Sequence, residues 1–187
     1  MENRFLDKIT GLFELDLPDG LENMEEHIEF IVPRIQAWSE DLREEEFYLN
    51  TRWKEIRDTD TYHEVVLHIF MAGGEYLVSV DGDISKGGWR YLSESNTFIV
   101  EYGPKSQLYD LAFLNNDFFI LKKHGDQARK GRDKYFVYGN ERSVGNLDWR
   151  DAMDSLYNIY RSNSRFSIYL FLIIAVISVV LVLSYNR

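Results

Sequence analysis

Residues 75–102 read EYLVSVDGDISKGGWRYLSESNTFIVEY, and this stretch decides the fold. Glu75–Val80, Trp89–Leu92 and Thr97–Tyr102 are short runs rich in β-branched and aromatic residues, the composition of strands. Asp81-Gly82, Gly87-Gly88 and Ser95-Asn96 separate them with residues that tolerate the backbone of tight turns. Links this short leave neighbouring strands no arrangement but antiparallel pairing.

The rhythm extends in both directions. From Glu46 the apolar period is two: Phe47, Leu49, Thr51 and Trp53 alternate with Tyr48, Asn50, Arg52 and Lys54. Further runs are Tyr62–Met71, Gln107–Leu114, Phe118–Lys123 and Tyr135–Tyr138, with turns at Gly73-Gly74, Gly103-Pro104 and Asn115-Asn116. About eight strands in succession predict an antiparallel meander over 46–140, a barrel or a strongly twisted sheet.

Upstream, the period lengthens. Leu21, Met24, Ile28, Ile31, Ile35, Trp38 and Leu42 recur at steps of three and four and predict helix over 21–43, with Pro33 kinking or dividing it. Phe5, Leu6, Ile9, Leu12 and Phe13 suggest a second amphipathic helix in 1–16. The whole segment 1–45 is acidic. Residues 1–50 carry about 14 Asp/Glu against about 4 Lys/Arg, so nearly all of the chain's net charge of −10 lies there. Such a surface repels phosphate backbones, which argues against nucleic acid and makes 1–43 the expected dock for a cytoplasmic protein partner. Downstream, Asp148 can cap a helix over 146–162 that shows Trp149, Met153, Leu156, Tyr157 and Tyr160 on one face.

Residues 166–185, FSIYLFLIIAVISVVLVLSY, contain no charge. As a helix they rise about 30 Å, the hydrocarbon thickness of a bilayer. A single-pass transmembrane helix is therefore expected, with Ser162-Asn163-Ser164 as a polar link before it. Arg161 and Arg165 flank the run and keep that side cytoplasmic. No basic stretch followed by an apolar segment opens the sequence, so the expected layout is tail-anchored, with an N-terminal cytoplasmic domain and the C-terminus outside. The fold class is thus α+β: amphipathic helices, a β-meander, a juxtamembrane helix and an anchor.

The segments Gly87–Glu101 (GGWRYLSESNTFIVE) and Ser106–Lys123 (SQLYDLAFLNNDFFILKK) resemble small bacterial lipocalin-like β-barrel domains. Gly88-Trp89 supplies the strand start, and Tyr109, Leu111, Asp117 and Ile120 a loose form of the following hairpin. The resemblance covers roughly 46–140 and implies a barrel. It carries over no ligand residues.

Several patterns look chemical and are read otherwise. His63-Glu64 and His68 are one residue too far apart for the helical zinc motif, and in a strand the two imidazoles face opposite ways. Asp81-Gly82-Asp83 begins like a calcium loop, but position 12 counted from Asp81 is Leu92 rather than Glu. Neither glycine pair opens a helix or precedes Lys-Ser/Thr, which excludes a phosphate loop. There is no cysteine and no G-x-S-x-G elbow. No cofactor or metal is expected, and a binding or scaffolding module is favoured over an enzyme.

Two surfaces are candidate sites. An eight-stranded barrel has room for side chains or one small ligand. Trp53, Trp89 and Tyr91 could wall a pocket for a small apolar or lipid ligand oriented by Arg52 or Arg90. The stretch KKHGDQARKGRDK, 122–134, has a net charge of about +4. Its Lys122, Lys123, Arg129, Lys130, Arg132 and Lys134 could meet anionic headgroups at about 1 kcal/mol each, or the acidic N-terminal segment.

Overall fold

A computed structural model describes residues 17–58, 64–125 and 134–185, without the side chains of 164–172, 175, 179, 180 and 182–185. The chain forms two compact units, one of Gly20–Met153 and one of Met1–Asp19 with Asp154–Arg187.

The first unit is a closed barrel of eight antiparallel strands in simple up-and-down order: β1 (Trp53–Ile56), β2 (Val66–Phe70), β3 (Glu75–Val80), β4 (Asp83–Leu92), β5 (Thr97–Tyr102), β6 (Lys105–Leu114), β7 (Phe118–Lys123) and β8 (Tyr135–Asn140). Each strand pairs with the next, and β8 returns to β1 with Trp53 opposite Asn140 and Ile56 opposite Val137. This architecture is consistent with the barrel that the resemblance to lipocalin-like domains implied. The β3–β4 turn is the expected Asp81-Gly82 pair, both at positive φ (48° and 96°), which matches the twist of the strands it joins.

Two strand expectations need correction. Residues 46–52 are not strand. Glu45–Phe47 form a 3-10 turn, and β1 starts only at Trp53, because Tyr48 folds inward as a plug and its hydroxyl donates to the Leu42 carbonyl at 2.9 Å. Gly87-Gly88 is not a turn but the middle of the long strand β4. Gly87 is there because β4 and β5 approach closely: a Cβ on it would lie 2.3 Å from the Glu101 carbonyl oxygen.

Helix α1 (Met24–Ile35) starts at Asn23, whose side chain accepts from the Glu26 amide at 2.9 Å. Glu26 reaches back to the Glu22 amide at 2.8 Å, so two terminal donors are satisfied reciprocally. The helix passes through Pro33 and ends one turn sooner than the apolar stripe, giving way to a 3-10 turn at Gln36–Trp38. Pro33 lacks the amide that would bond back to Glu29, and the regular ladder does not outlast it for long. Met24, Ile28, Ile31, Val32 and Ile35 are buried, and α1 lies against β6. On the outer face of the wall Phe113, Phe118, Ile120 and Val137 are also buried, so β7 is apolar on both faces and reads as a continuous run.

Helix α2 (Trp149–Tyr185) begins at the expected cap, with Asp148 Oδ1 accepting from the Asp151 amide at 2.8 Å. Ser162-Asn163-Ser164 does not interrupt it, and the separate helices expected over 146–162 and 166–185 are one. Ser162 and Asn163 donate to the Ile159 carbonyl at 3.1 and 2.9 Å, which satisfies these polar side chains inside the helix. Farther along, Ile173, Ile174, Val176, Ile177 and Leu181 are 53–64% exposed. Among the described residues, no helix is both long and apolar enough to cross a membrane. The expected helix in 1–16 lies outside the described residues.

Candidate functional site: the polar mouth of the barrel

Alternation along eight strands sends every second side chain into the lumen. At the end near Asn140 those side chains are rings. Tyr48, Trp53, Phe70, Phe98 and Phe119 are fully buried, with Phe70 edge-on to Phe98 at 5.0 Å and Trp89 stacked on Phe98 at 5.3 Å. Their polar atoms end on backbone: Trp53 Nε1 donates to the Tyr48 carbonyl at 3.1 Å and Trp89 Nε1 to the Met71 carbonyl at 2.8 Å. This half of the barrel is a packed core.

The other end is different. Glu55, two residues after Trp53, shares its inward face, as do His68, Tyr76, Gln107, Tyr109, Lys123 and Tyr138. His68 is held on both ring nitrogens, with Nδ1 2.5 Å from Tyr76 Oη and Nε2 3.3 Å from Glu55 Oε2. The imidazole thus bridges the Glu55 carboxylate and the Tyr76 phenol. Arg57 closes the other side of Glu55 with two bonds at 2.9 and 3.0 Å.

The electrostatics fix who is charged. Burial alone would raise the Glu55 carboxyl, but hydrogen bonds from His68 and Arg57 and their charges outweigh it and bring its pKa down to about 2. Burial pushes the phenols of Tyr76, Tyr109 and Tyr138 well above the ordinary tyrosine value, and the negative charge of Glu55 adds to this in all three. Glu55 is therefore an ionised acceptor, and the three phenols keep their protons. Tyr76, His68 and Glu55 stand in series as a nucleophile, base and orienting acid would. The series links β3, β2 and β1.

Lys123 enters the same end. It is buried, and its ammonium lies 4.9 Å over the Phe136 ring. Tyr109 meets that ring edge-on at 5.3 Å and donates to Gln107 Oε1. A cleft of about 130 Å³ beside Glu55 is lined by Arg57, Asp58, Tyr135 and Phe136, and not by Lys123 or Tyr109.

The residues singled out from sequence are dispersed. Trp53 and Trp89 belong to the packed core, and Tyr91 packs against it. Arg52 and Arg90 are outside the barrel, where Arg52 pairs with Glu141 at 2.8 Å and Arg90 with Glu101 at 3.4 Å. They orient nothing near the two indoles, because successive side chains of a strand face opposite ways. Lys122 is exposed on the outer wall, as a surface-contact role requires, but Lys123 points inward and cannot meet a headgroup. Lys134 is engaged by α1, with its ammonium on Glu29 and 3.8 Å from Glu25. That is the contact with the acidic segment rather than with lipid. Arg129, Lys130, Arg132 and His63 lie outside the described residues. Arg161 pairs with Asp154 at 3.1 Å, and Arg165 falls on α2. Among the described residues no three His, Asp or Glu side chains converge on a metal position.

The inward polar set was legible only in part. Trp53-x-Glu55 places a carboxylate on the face of a core indole, and Tyr109 and Lys123 are likewise in phase with core positions. Comparison with protein-family models, with curated proteins and with solved structures gave no match.

Proposed function

We propose that the protein is a membrane-anchored binding domain, with the barrel as the recognition unit and residues 166–185 holding it at the cytoplasmic face of a bilayer. The observation that carries this is the set of uncovered aliphatic side chains on α2: Ile173, Ile174, Val176, Ile177 and Leu181. Removing each from water is worth about 1.5–3 kcal/mol, so five such groups favour an apolar surrounding by on the order of 10 kcal/mol. Arg161 and Arg165 before the run support the cytoplasmic side for the barrel.

What the barrel recognises is better sought outside its ring-packed half than within it, which weighs against an apolar or lipid ligand beside Trp53 and Trp89. The outer face of α1 supports a protein partner. Glu25, Glu26 and Glu29 line a cleft of about 450 Å³ with Asp58, and Lys134 already places one cation there. A basic segment of a partner suits that surface.

Alkaline carbonate extraction of membranes carrying the full chain tests the anchor, and protease digestion of sealed, cytoplasm-out vesicles tests its orientation. The expected result is retention in the pellet and loss of the barrel to protease. Release into the supernatant, or a barrel shielded until detergent is added, refutes the proposal.

A further inference from the structure

Strand β4 outruns its neighbour on one side. β3 pairs with all of Asp83–Gly88, whereas β5 joins only at Gly88, opposite Glu101, and continues to Leu92, opposite Thr97. Asp83, Ile84, Ser85 and Lys86 therefore have no strand on their β5 side among the described residues, and all four are exposed. The phase of the ladder says which main-chain groups are free. Val80 and Asp83 flank the two-residue turn and exchange both of their hydrogen bonds, and the direction alternates along a strand. The N–H and C=O of Ile84 and Lys86 thus point away from β3, into the open edge. Such edges are normally guarded by charge, proline or a bulge. This one carries Ile84, 68% exposed on the outer face, and its lysine is drawn the other way, with the Lys86 ammonium on Glu75 of β3 at 2.9 Å.

We propose that this edge pairs with the same edge of a second copy of the chain, β4 against β4 about a two-fold axis. The free groups admit one register. A two-fold axis normal to the sheet sets one residue opposite itself, and its main-chain groups must face the edge, which leaves Ile84 or Lys86. Centring on Lys86 would lay the second copy's Ile84 over Gly88, where β5 already pairs. Centring on Ile84 sets the second copy's Gly82 opposite Lys86, so the incoming turn ends just short of β5. Ile84 then meets its counterpart on the outer face. Asp83 lies opposite the second copy's Ser85, whose hydroxyl can donate to the carboxylate, and no like charges stand opposite one another. An unrelated peptide could satisfy the main chain, but this match of length and of facing residues belongs to the chain's own edge. The inference is independent of the membrane anchor and of the acidic face of α1.

The chain has no cysteine, so single-cysteine variants report the register directly. The test oxidises the full chain in mild detergent as Ile84→Cys or as Lys86→Cys. Opposite Cα atoms of a hydrogen-bonded pair lie about 5.5 Å apart, within disulfide reach, whereas the two copies of position 86 fall four residues out of step, roughly 14 Å apart. Ile84→Cys should therefore give a covalent homodimer and Lys86→Cys should not. Ile84→Lys sets two lysines face to face and should weaken dimerisation at least about tenfold by sedimentation. It should leave the urea midpoint of the barrel unmoved, because the side chain lies outside the core. In the unaltered protein, hydrogen exchange at the Ile84 amide should slow as protein concentration rises, while exchange at the Ser85 amide, directed at β3, should not change. Cross-linking at both positions or at neither, exchange at Ile84 that ignores concentration, or an adduct of Ile84→Cys with a different protein in intact membranes in place of the homodimer overturns the proposal.

Discussion

Glu55→Gln isolates the electrostatic work done at the mouth, and its expected signature is a pH profile. The folded carboxyl titrates at about 2 against an ordinary value of 4.5. A depressed carboxyl contributes stability above its unfolded pKa and loses it as pH falls toward the folded one. At about 1.4 kcal/mol per pKa unit this amounts to roughly 3 kcal/mol at neutral pH, of which about 2 kcal/mol is gone by pH 3. Urea unfolding of the full chain in detergent, followed by tryptophan fluorescence, reports on the barrel through Trp53 and Trp89. At pH 7 the variant should be less stable by about 3 kcal/mol, because His68 and Arg57 keep their positions without the charge that holds them. Toward pH 3 the two proteins should converge, since the native carboxylate's advantage disappears while glutamine has none to lose. Parallel stability curves for the two proteins between pH 5 and pH 3 would refute the assignment of Glu55 as a buried, ionised anchor.

Other expectations follow from packing. Gly87→Ala should destabilise the barrel by about 2 kcal/mol or more, because the new methyl meets the Glu101 carbonyl, a backbone atom of the neighbouring strand that cannot rotate away. Urea midpoints measure it. Two tryptophans should answer differently to replacement by phenylalanine. Trp89→Phe strands the Met71 carbonyl and loses a hydrogen bond, whereas Trp149 is buried with an indole N–H that has no partner among the described residues. Trp149→Phe should therefore cost less by about 1 kcal/mol, and equal costs would contradict the reasoning.

The barrel was readable because turn chemistry is local. Asp81-Gly82 and Asn115-Asn116 mark strand ends by their own backbone preferences, and the intervening runs carry the period of two. Closure was not readable, since the pairing of Trp53 with Asn140 is set by twist and strand number accumulated over the whole sheet. Gly87-Gly88 misled for a related reason. Glycine marks a turn when the need is a positive φ and a close approach when the need is missing bulk, and only the neighbouring β5 distinguishes the two. At the mouth, the phase of the alternation already put Glu55, Tyr109 and Lys123 inside. A run of charges around Lys122 hid this, because net charge ignores which residue faces which way. His68 was legible as a strand residue, and its partners Glu55 and Tyr76 lie on other strands.

The seam between β1 and β8 governs the order of folding. Every other ladder joins strands that follow one another, so hairpins from β1 to β8 can zip as soon as their turns form. The second edge of β1 must instead wait for Tyr135–Asn140, the last strand to leave a ribosome, and the entropy of that long loop is spent before any reward. Until then both outer strands show open edges that invite pairing with another chain. The seam is thus the slow step, and the hour of greatest exposure falls just before it shuts.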